Sequence, residues 1–229
     1  MADERAGFEF KLLGPLEVTS GGRAISLGGQ KQRALLALLL LRPNEVVPRD
    51  RLIDGLWGDS PPGSAANALQ VAVHGLRKAL GSERIETQGT AYRIRVQPGE
   101  VDVQHFERLV EEARRATSTR AAEGLREALA LWRGPALADL DHTPSIETER
   151  SRLDERRLTV LEERIEADLA LGRHGEVAGE LDAFVMEHPY RERLRHLLML
   201  ALYRSGRQAE ALNAYQDARR ALVGELARP

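Results

Sequence analysis

Six side chains between Ser64 and Leu80 are of the kinds that read a polyanion with a patterned edge: Asn67, Gln70, Val71, His74, Arg77 and Lys78. On a helix of about 3.6 residues per turn, Asn67, Val71, His74 and Lys78 share one face, with Gln70 and Arg77 on its shoulder. Amides and an imidazole donate to or accept from base edges, a small aliphatic packs on a thymine methyl, and cations pair with phosphates. No carboxylate stands anywhere in the stretch, whereas an ordinary surface face carries acids as well as bases. A surface helix that merely lacks acids is the competing reading of these residues alone.

Catalytic alternatives find little support. The sequence holds no phosphate-cradling glycine loop with Lys-Ser/Thr, no HExxH and no GxSxG, and it has no cysteine. His74, His105, His142, His174, His188 and His196 show no ligand spacing. His188-Pro189-Tyr190 reads as a cap and turn that opens a helix. The Glu and Arg residues of 145–166 read as i,i+4 pairs on a solvated face. The expectation is a protein that is not an enzyme and holds no metal or cofactor.

The helix that must position the six residues is well bounded. Pro61-Pro62-Gly63 precede it, Ser64 is an expected N-cap whose hydroxyl accepts a first-turn N–H, and Gly81 follows as a stop. Leu69, Val73, Leu76 and Leu80 form its core stripe. A length of 229 residues suits two ordinary cores. Net charge is −2, with 13 Lys+Arg against 11 Asp+Glu in residues 1–100 and 20 against 24 in 101–229, so any nucleic-acid footprint must be a local patch. The longest apolar run, Ala34 to Leu41, is too short to span a bilayer and no signal peptide is seen, so a cytoplasmic protein without a membrane segment is expected.

In chain order, Phe8 to Leu13, Leu16 to Thr19 and Ala24 to Leu27 suit a small antiparallel sheet. Gln30 to Leu41 reads as a buried helix, and Val46-Val47-Pro48 leads into a short helix from Arg49 to Trp57. The helix at 64–80 comes next, then a hairpin over 84–96 turning at Gln88-Gly89-Thr90. The blocks QKQRALLALLLL, VPRDRLIDGLWG, ANALQVAVHGLRKALG and GTAYRI, from about Phe8 to Val96, resemble the winged-helix DNA-binding domain of the OmpR/PhoB class. More specifically they resemble the Streptomyces antibiotic regulatory protein family, of the AfsR and DnrI type. From about Asp102 the chain reads as helices over 102–116, 120–132, 145–171, 175–187, 190–205 and 208–223. Gly172-Arg173 and Gly206-Arg207 repeat at 34 residues, the tetratricopeptide period. LWRGPALADL, EHPYRERL and YRSGRQAEALNAYQ resemble the bacterial transcriptional activation domain that follows the winged helix in the same family. The expected architecture is mainly α with a small antiparallel β component: a winged helix-turn-helix over 1–100, then an all-α TPR-like domain over 101–229.

The resemblance implies roles for particular residues. Family contacts to DNA carry over onto Asn67, Val71, His74 and Arg77, while Gly75 stands where relatives often place a basic residue. At the end of the helix, Arg77 and Lys78 suit phosphate better than a guanine edge. Trp57 resembles a tryptophan that contacts the DNA backbone, and equally reads as a core aromatic. Arg49 and Arg51 lie near a helix N-terminus that faces the backbone, or are solvated cations. Gln88 matches a wing-tip position where relatives put an arginine into the minor groove. Arg93 and Arg95 face opposite to Tyr92 and Ile94 and suit phosphate, or are ordinary edge-strand cations. As partners the family implies double-stranded promoter DNA read as a direct repeat by a homodimer, and RNA polymerase holoenzyme with its principal sigma factor. Targets would be antibiotic or other secondary-metabolite genes. The runner-up is a TPR-like protein-interaction adaptor without sequence-specific DNA readout. Relatives usually continue past the last helix, so an N-terminal part of a longer regulator with an NTPase or repeat domain is a further expectation.

Overall fold

The computed structural model describes residues 7–226. It divides into two compact units, one made of residues up to 108 together with 130–156, the other of 109–129 together with residues from 157 onward.

The first unit opens with a three-stranded antiparallel sheet, β1 (Phe8–Lys11), β2 (Glu17–Ser20) and β3 (Arg23–Ala24). Strand β1 is shorter than its apolar run and β2 starts one residue late, for a local reason. The N–H groups of Leu12 and Leu13 donate to the Asp102 carboxylate at 2.8 and 3.0 Å, and that of Leu16 donates to Asp139 at 2.7 Å. Carboxylates thus take up donors that a longer ladder would have used. Burial pushes the Asp102 carboxyl up, and the two backbone donors only partly offset it. The third run pairs at Arg23 and Ala24 alone, opposite Ser20 and Thr19.

Helix α1 (Gln30–Leu40) follows, buried from Ala34 through Leu40 as its uninterrupted apolar run requires. Then come β4 (Val47–Pro48), α2 (Arg49–Trp57), α3 (Ala65–Leu80), β5 (Ile85–Gln88) and β6 (Ala91–Ile94). The last three strands form a second antiparallel sheet in the order β4-β6-β5. Strand β4 is more than the lead-in to α2 that the sequence suggests. Its Pro48 is tolerated because an edge strand can spare a ladder donor. Ser64 precedes α3 as expected, but its hydroxyl makes no capping bond. At φ −94° and ψ 11° its backbone already turns toward helix, whereas a capping side chain needs an extended residue.

One core joins α1, α2, α3 and the hairpin through Leu35, Leu39, Leu56, Leu69, Leu76 and Ile94. Leu137, Leu140 and Ile146 enter that same core, each adding about 2 kcal/mol of burial. They belong to the segment between α5 (Ser118–Ala130) and the start of α6 (Pro144–Ala170), which follow α4 (Asp102–Arg114). Arg33 pairs with Asp139, Thr143 Oγ1 donates to the Gly55 carbonyl at 2.9 Å, and Arg150 donates to the carbonyls of Ala136 and Leu137 at 3.1 and 2.9 Å.

The second unit is helical, completed by α7 (His174–Glu187), α8 (Glu192–Arg204) and α9 (Gln208–Leu226). Its core gathers Ile165, Leu169, Leu181, Leu194, Leu198 and Ala201. All six helices expected after residue 101 are present, with ends differing by a few residues. The 34-residue repeat has a backbone counterpart. Gly172 and Gly206 sit at φ 82° and 79°, and the next N–H reaches back to the Asp168 carbonyl in one case and the Leu202 carbonyl in the other, at 3.1 and 2.9 Å. Both are helix ends closed by a left-handed glycine. Charged residues of α6 follow the expected i,i+4 pattern only in part, as in Arg164 with Asp168. Arg150 with Glu147 and Arg152 with Glu149 are i,i+3 pairs, while Arg114–Glu163 and Arg191–Glu162 join neighbouring helices. Asp168, 1% exposed, receives Arg126, Arg164 and Arg173, so part of this charge is an interior network rather than a solvated face.

Candidate nucleic-acid interface

Helix α3 buries Ala65, Leu69, Ala72, Val73, Leu76 and Leu80. That leaves Asn67, Gln70, Val71, His74 and Lys78 exposed together, with no acid on the helix. Val71 is 64% exposed. Lys78 lies in the last turn, where the helix dipole favours a cation. Gly75 does not share this outward face: a Cβ there would stand 2.5 Å from the Gln32 carboxamide oxygen of α1. A side chain at 75 would have to displace Gln32.

Arg77 is placed differently from its neighbours. Its Nε–H donates to the Ile85 carbonyl at 2.9 Å and its Nη2 to Thr87 Oγ1 at 2.8 Å, so the guanidinium bridges from α3 to β5. The hairpin turns over two residues, Gly89 and Thr90, rather than three, because Gln88 is already paired with Ala91. Gln88 is exposed at that tip. Tyr92 and Ile94 point into the core and Arg93 and Arg95 point away, as alternation predicts. Both arginines pair with Glu86, which lies directly across from Arg93. The Arg93 hydrogen bond, with Arg95 adding to it, holds the Glu86 carboxyl below its usual range. Sequence reasoning passes over Glu86, although a carboxylate across the strand from two alternating arginines is the available signal.

On α2, Arg49 and Arg51 separate. The Arg49 N–H donates to the Thr90 carbonyl at 3.2 Å, next to the wing tip, and its guanidinium meets the Asp50 carboxylate at 3.2 Å. Arg51 is exposed and lines a hollow of about 200 Å³ with Leu38, Arg42, Ser145 and Glu149. Trp57 is half-buried against the core, a placement that fits both the core-aromatic and the backbone-contact readings. The Lys31 ammonium stands 5.7 Å from its ring centroid and also donates to the Leu56 carbonyl at 2.7 Å. Lys31 is a second residue that pattern reading misses, since it meets Trp57 only through the packing of α1 on α2. The structure therefore brings together the α3 face, the hairpin tip with Gln88, and Arg49.

An N-terminal sheet, three helices with the third exposing an acid-free face, and a closing hairpin define a winged helix-turn-helix protein. Residues 22–94 match the family described as transcriptional regulatory protein, C terminal, and residues 101–229 match the bacterial transcriptional activator domain. The regulatory protein AfsR of Streptomyces coelicolor is 43% identical over 98% of this chain and 23% of its own length. The regulatory protein DnrI of Streptomyces peucetius is 40% identical over 95% of this chain and 86% of its own. A solved structure of Mycobacterium tuberculosis EmbR in complex with a low-affinity phosphopeptide aligns at a TM-score of 0.92 and 34% identity, over 98% of this chain and 62% of that one. The chain belongs to the Streptomyces antibiotic regulatory protein family of transcriptional regulators. It spans about a quarter of the length of the AfsR relatives it matches.

Proposed function

We propose that this chain is a sequence-specific DNA-binding activator of transcription, acting in the cytoplasm without catalysis or cofactor. The observation that carries the reading is the acid-free, exposed face of α3 with Asn67, Gln70, Val71, His74 and Lys78, beside a wing whose tip presents Gln88. In this reading α3 enters the major groove, Val71 packs on a thymine methyl, and the amides and His74 read base edges. Lys78 and Arg49 meet phosphates, Arg93 and Arg95 stand beside them paired with Glu86, and Gln88 approaches the minor groove. Residues 1–100 read the DNA and 101–229 serve activation. Two copies lie head to tail on a direct repeat of about 10–11 bp, which keeps both on one side of the duplex.

Activation then means added binding energy for RNA polymerase holoenzyme and its principal sigma factor. About 1.4 kcal/mol of contact multiplies occupancy tenfold. Membership of the Streptomyces antibiotic regulatory protein family points to promoters of antibiotic or other secondary-metabolite genes as targets. The test is run-off transcription with purified holoenzyme from a promoter carrying the bound repeat. Output should rise on adding the chain and stay at its basal level with Asn67→Ala/His74→Ala. Equal output with both proteins contradicts the proposal.

A second reading, a protein-interaction adaptor, draws on the second unit. A hollow of about 540 Å³ there is floored by Leu198 and Leu202 and edged by Met186, and Met186 is 82% exposed. An adaptor would show no salt-dependent, sequence-selective affinity for DNA.

A further inference from the structure

Strand β5 is a free edge of its sheet, so the N–H and C=O groups of its non-bonded rungs point away from β6. The Arg95 N–H donates to the Arg84 carbonyl at 2.8 Å, which makes that pair a bonded rung. Bonded and non-bonded rungs alternate along an antiparallel pair. Ile85–Ile94 and Thr87–Tyr92 are therefore non-bonded rungs, and the Ile85 carbonyl points away from β6. Ile85 is fully buried, so water cannot easily satisfy that oxygen. The Arg77 guanidinium does so at 2.9 Å, and the same fork reaches Thr87 Oγ1 two residues along the strand.

We infer that Arg77 is a positioning residue: it fixes the wing to the recognition helix and does not itself contact DNA. Two donors of a rigid fork, on two acceptors of one strand, set where that strand lies against α3, as a single flexible ammonium would not. The base-reading face of α3 and the wing tip at Gln88 are thereby presented at one fixed spacing, and a preorganised pair of contacts avoids the cost of ordering the wing on binding. The inference rests on the DNA-binding reading proposed above. It differs in removing Arg77 from the direct contacts and giving it a structural task with a functional result.

The test uses the full chain and a duplex recovered by selection. Affinity is measured across a salt series for wild type, Arg77→Lys, Arg77→Ala, Thr87→Val, Arg77→Ala/Thr87→Val and Lys78→Ala. Hydroxyl-radical footprints and amide exchange of residues 85–94 in the free chain are recorded alongside. Arg77→Lys should bind about tenfold more weakly, as should Arg77→Ala, the loss expected when a wing no longer held in place must be ordered on binding. Both should keep the wild-type salt slope, lose protection under the wing, retain it under α3, and exchange the wing amides faster. Thr87→Val should give a smaller loss that vanishes in the Arg77→Ala background. Lys78→Ala, a phosphate contact, should instead lower the slope by about 0.9. Wild-type affinity for Arg77→Lys, or a slope lowered by about 0.9 in Arg77→Ala with unchanged wing exchange, overturns the inference. A wild-type chain with no sequence-selective binding removes the DNA reading itself and this role with it, a result distinct from any behaviour of the variants.

Discussion

Asp139 accepts the Leu16 N–H at 2.7 Å while its other oxygen pairs with Arg33, so one carboxylate joins residues that lie more than 100 positions away in the chain. Its own carbonyl accepts from Gln30 Nε2 at 3.1 Å. Together with Leu137, Leu140 and Ile146, this makes residues 130–156 a working part of the unit that carries α3. Asp139→Ala should lower the stability of the first unit by roughly 2 kcal/mol, in line with loss of charged hydrogen bonds that are only partly exposed. Urea unfolding followed at Trp57 and Trp132, both in that unit, measures it.

Ile146 is fully buried in the same core. Ile146→Ala should cost about 2–5 kcal/mol. The loss should appear in the same unfolding transition that disrupts α3, and DNA affinity should fall with the folded fraction. A transition that leaves the α3 amides protected from exchange would mean that the segment is dispensable for the winged helix.

Glu86 holds both outward arginines of the wing, so removing its charge should free them for phosphate. Glu86→Gln should bind non-specific duplex more tightly and steepen the salt slope by up to about 0.9 for each phosphate the freed arginines neutralise. The pH dependence has a definite sign. Because the folded carboxyl titrates below the usual 4.5, its contribution to stability is present above that pH and is lost as pH falls through the lower folded value. The stability difference between wild type and Glu86→Gln should therefore be flat above about pH 4.5 and close below it. Paired acid-denaturation curves check this.

Gly172 and Gly206 occupy the same position of the repeat, each with a left-handed backbone that a side chain resists. Alanine at either should cost about 1–2 kcal/mol. Gly179 lies inside α7 with open space where a Cβ would go, and Gly179→Ala should stabilise by up to about 1 kcal/mol. Thermal unfolding of the three variants separates the two behaviours.

Much of the architecture is readable from periodicity. The apolar run of α1 demands a buried helix, and the Leu69, Val73, Leu76, Leu80 stripe tells which face of α3 is left for a ligand. The six later helices follow from their own spacing. What escapes is long-range or very short. Strand β4 has two residues, too few for any period, and is defined by its partner β6. Asp102 and Asp139 truncate the first sheet from 90 and 123 positions away, which no local pattern encodes. Leu137 and Leu140 dock from an irregular segment whose spacing matches no helix or strand, and Ile146 follows them from the first turn of α6. At the candidate interface, residue types and the helical wheel locate the exposed face. Partners do not follow from them: Arg77 turns to a carbonyl left over by the edge strand, and Glu86 takes both wing arginines.

The most direct measurement is selection of bound duplexes from a randomised pool, followed by affinity against salt for the winners. The account predicts enrichment of a direct repeat near about 10–11 bp, a steep salt slope, and loss of selectivity with Asn67→Ala/His74→Ala. Weak, sequence-blind binding that survives those two changes would contradict base reading by α3 and leave the adaptor reading in its place.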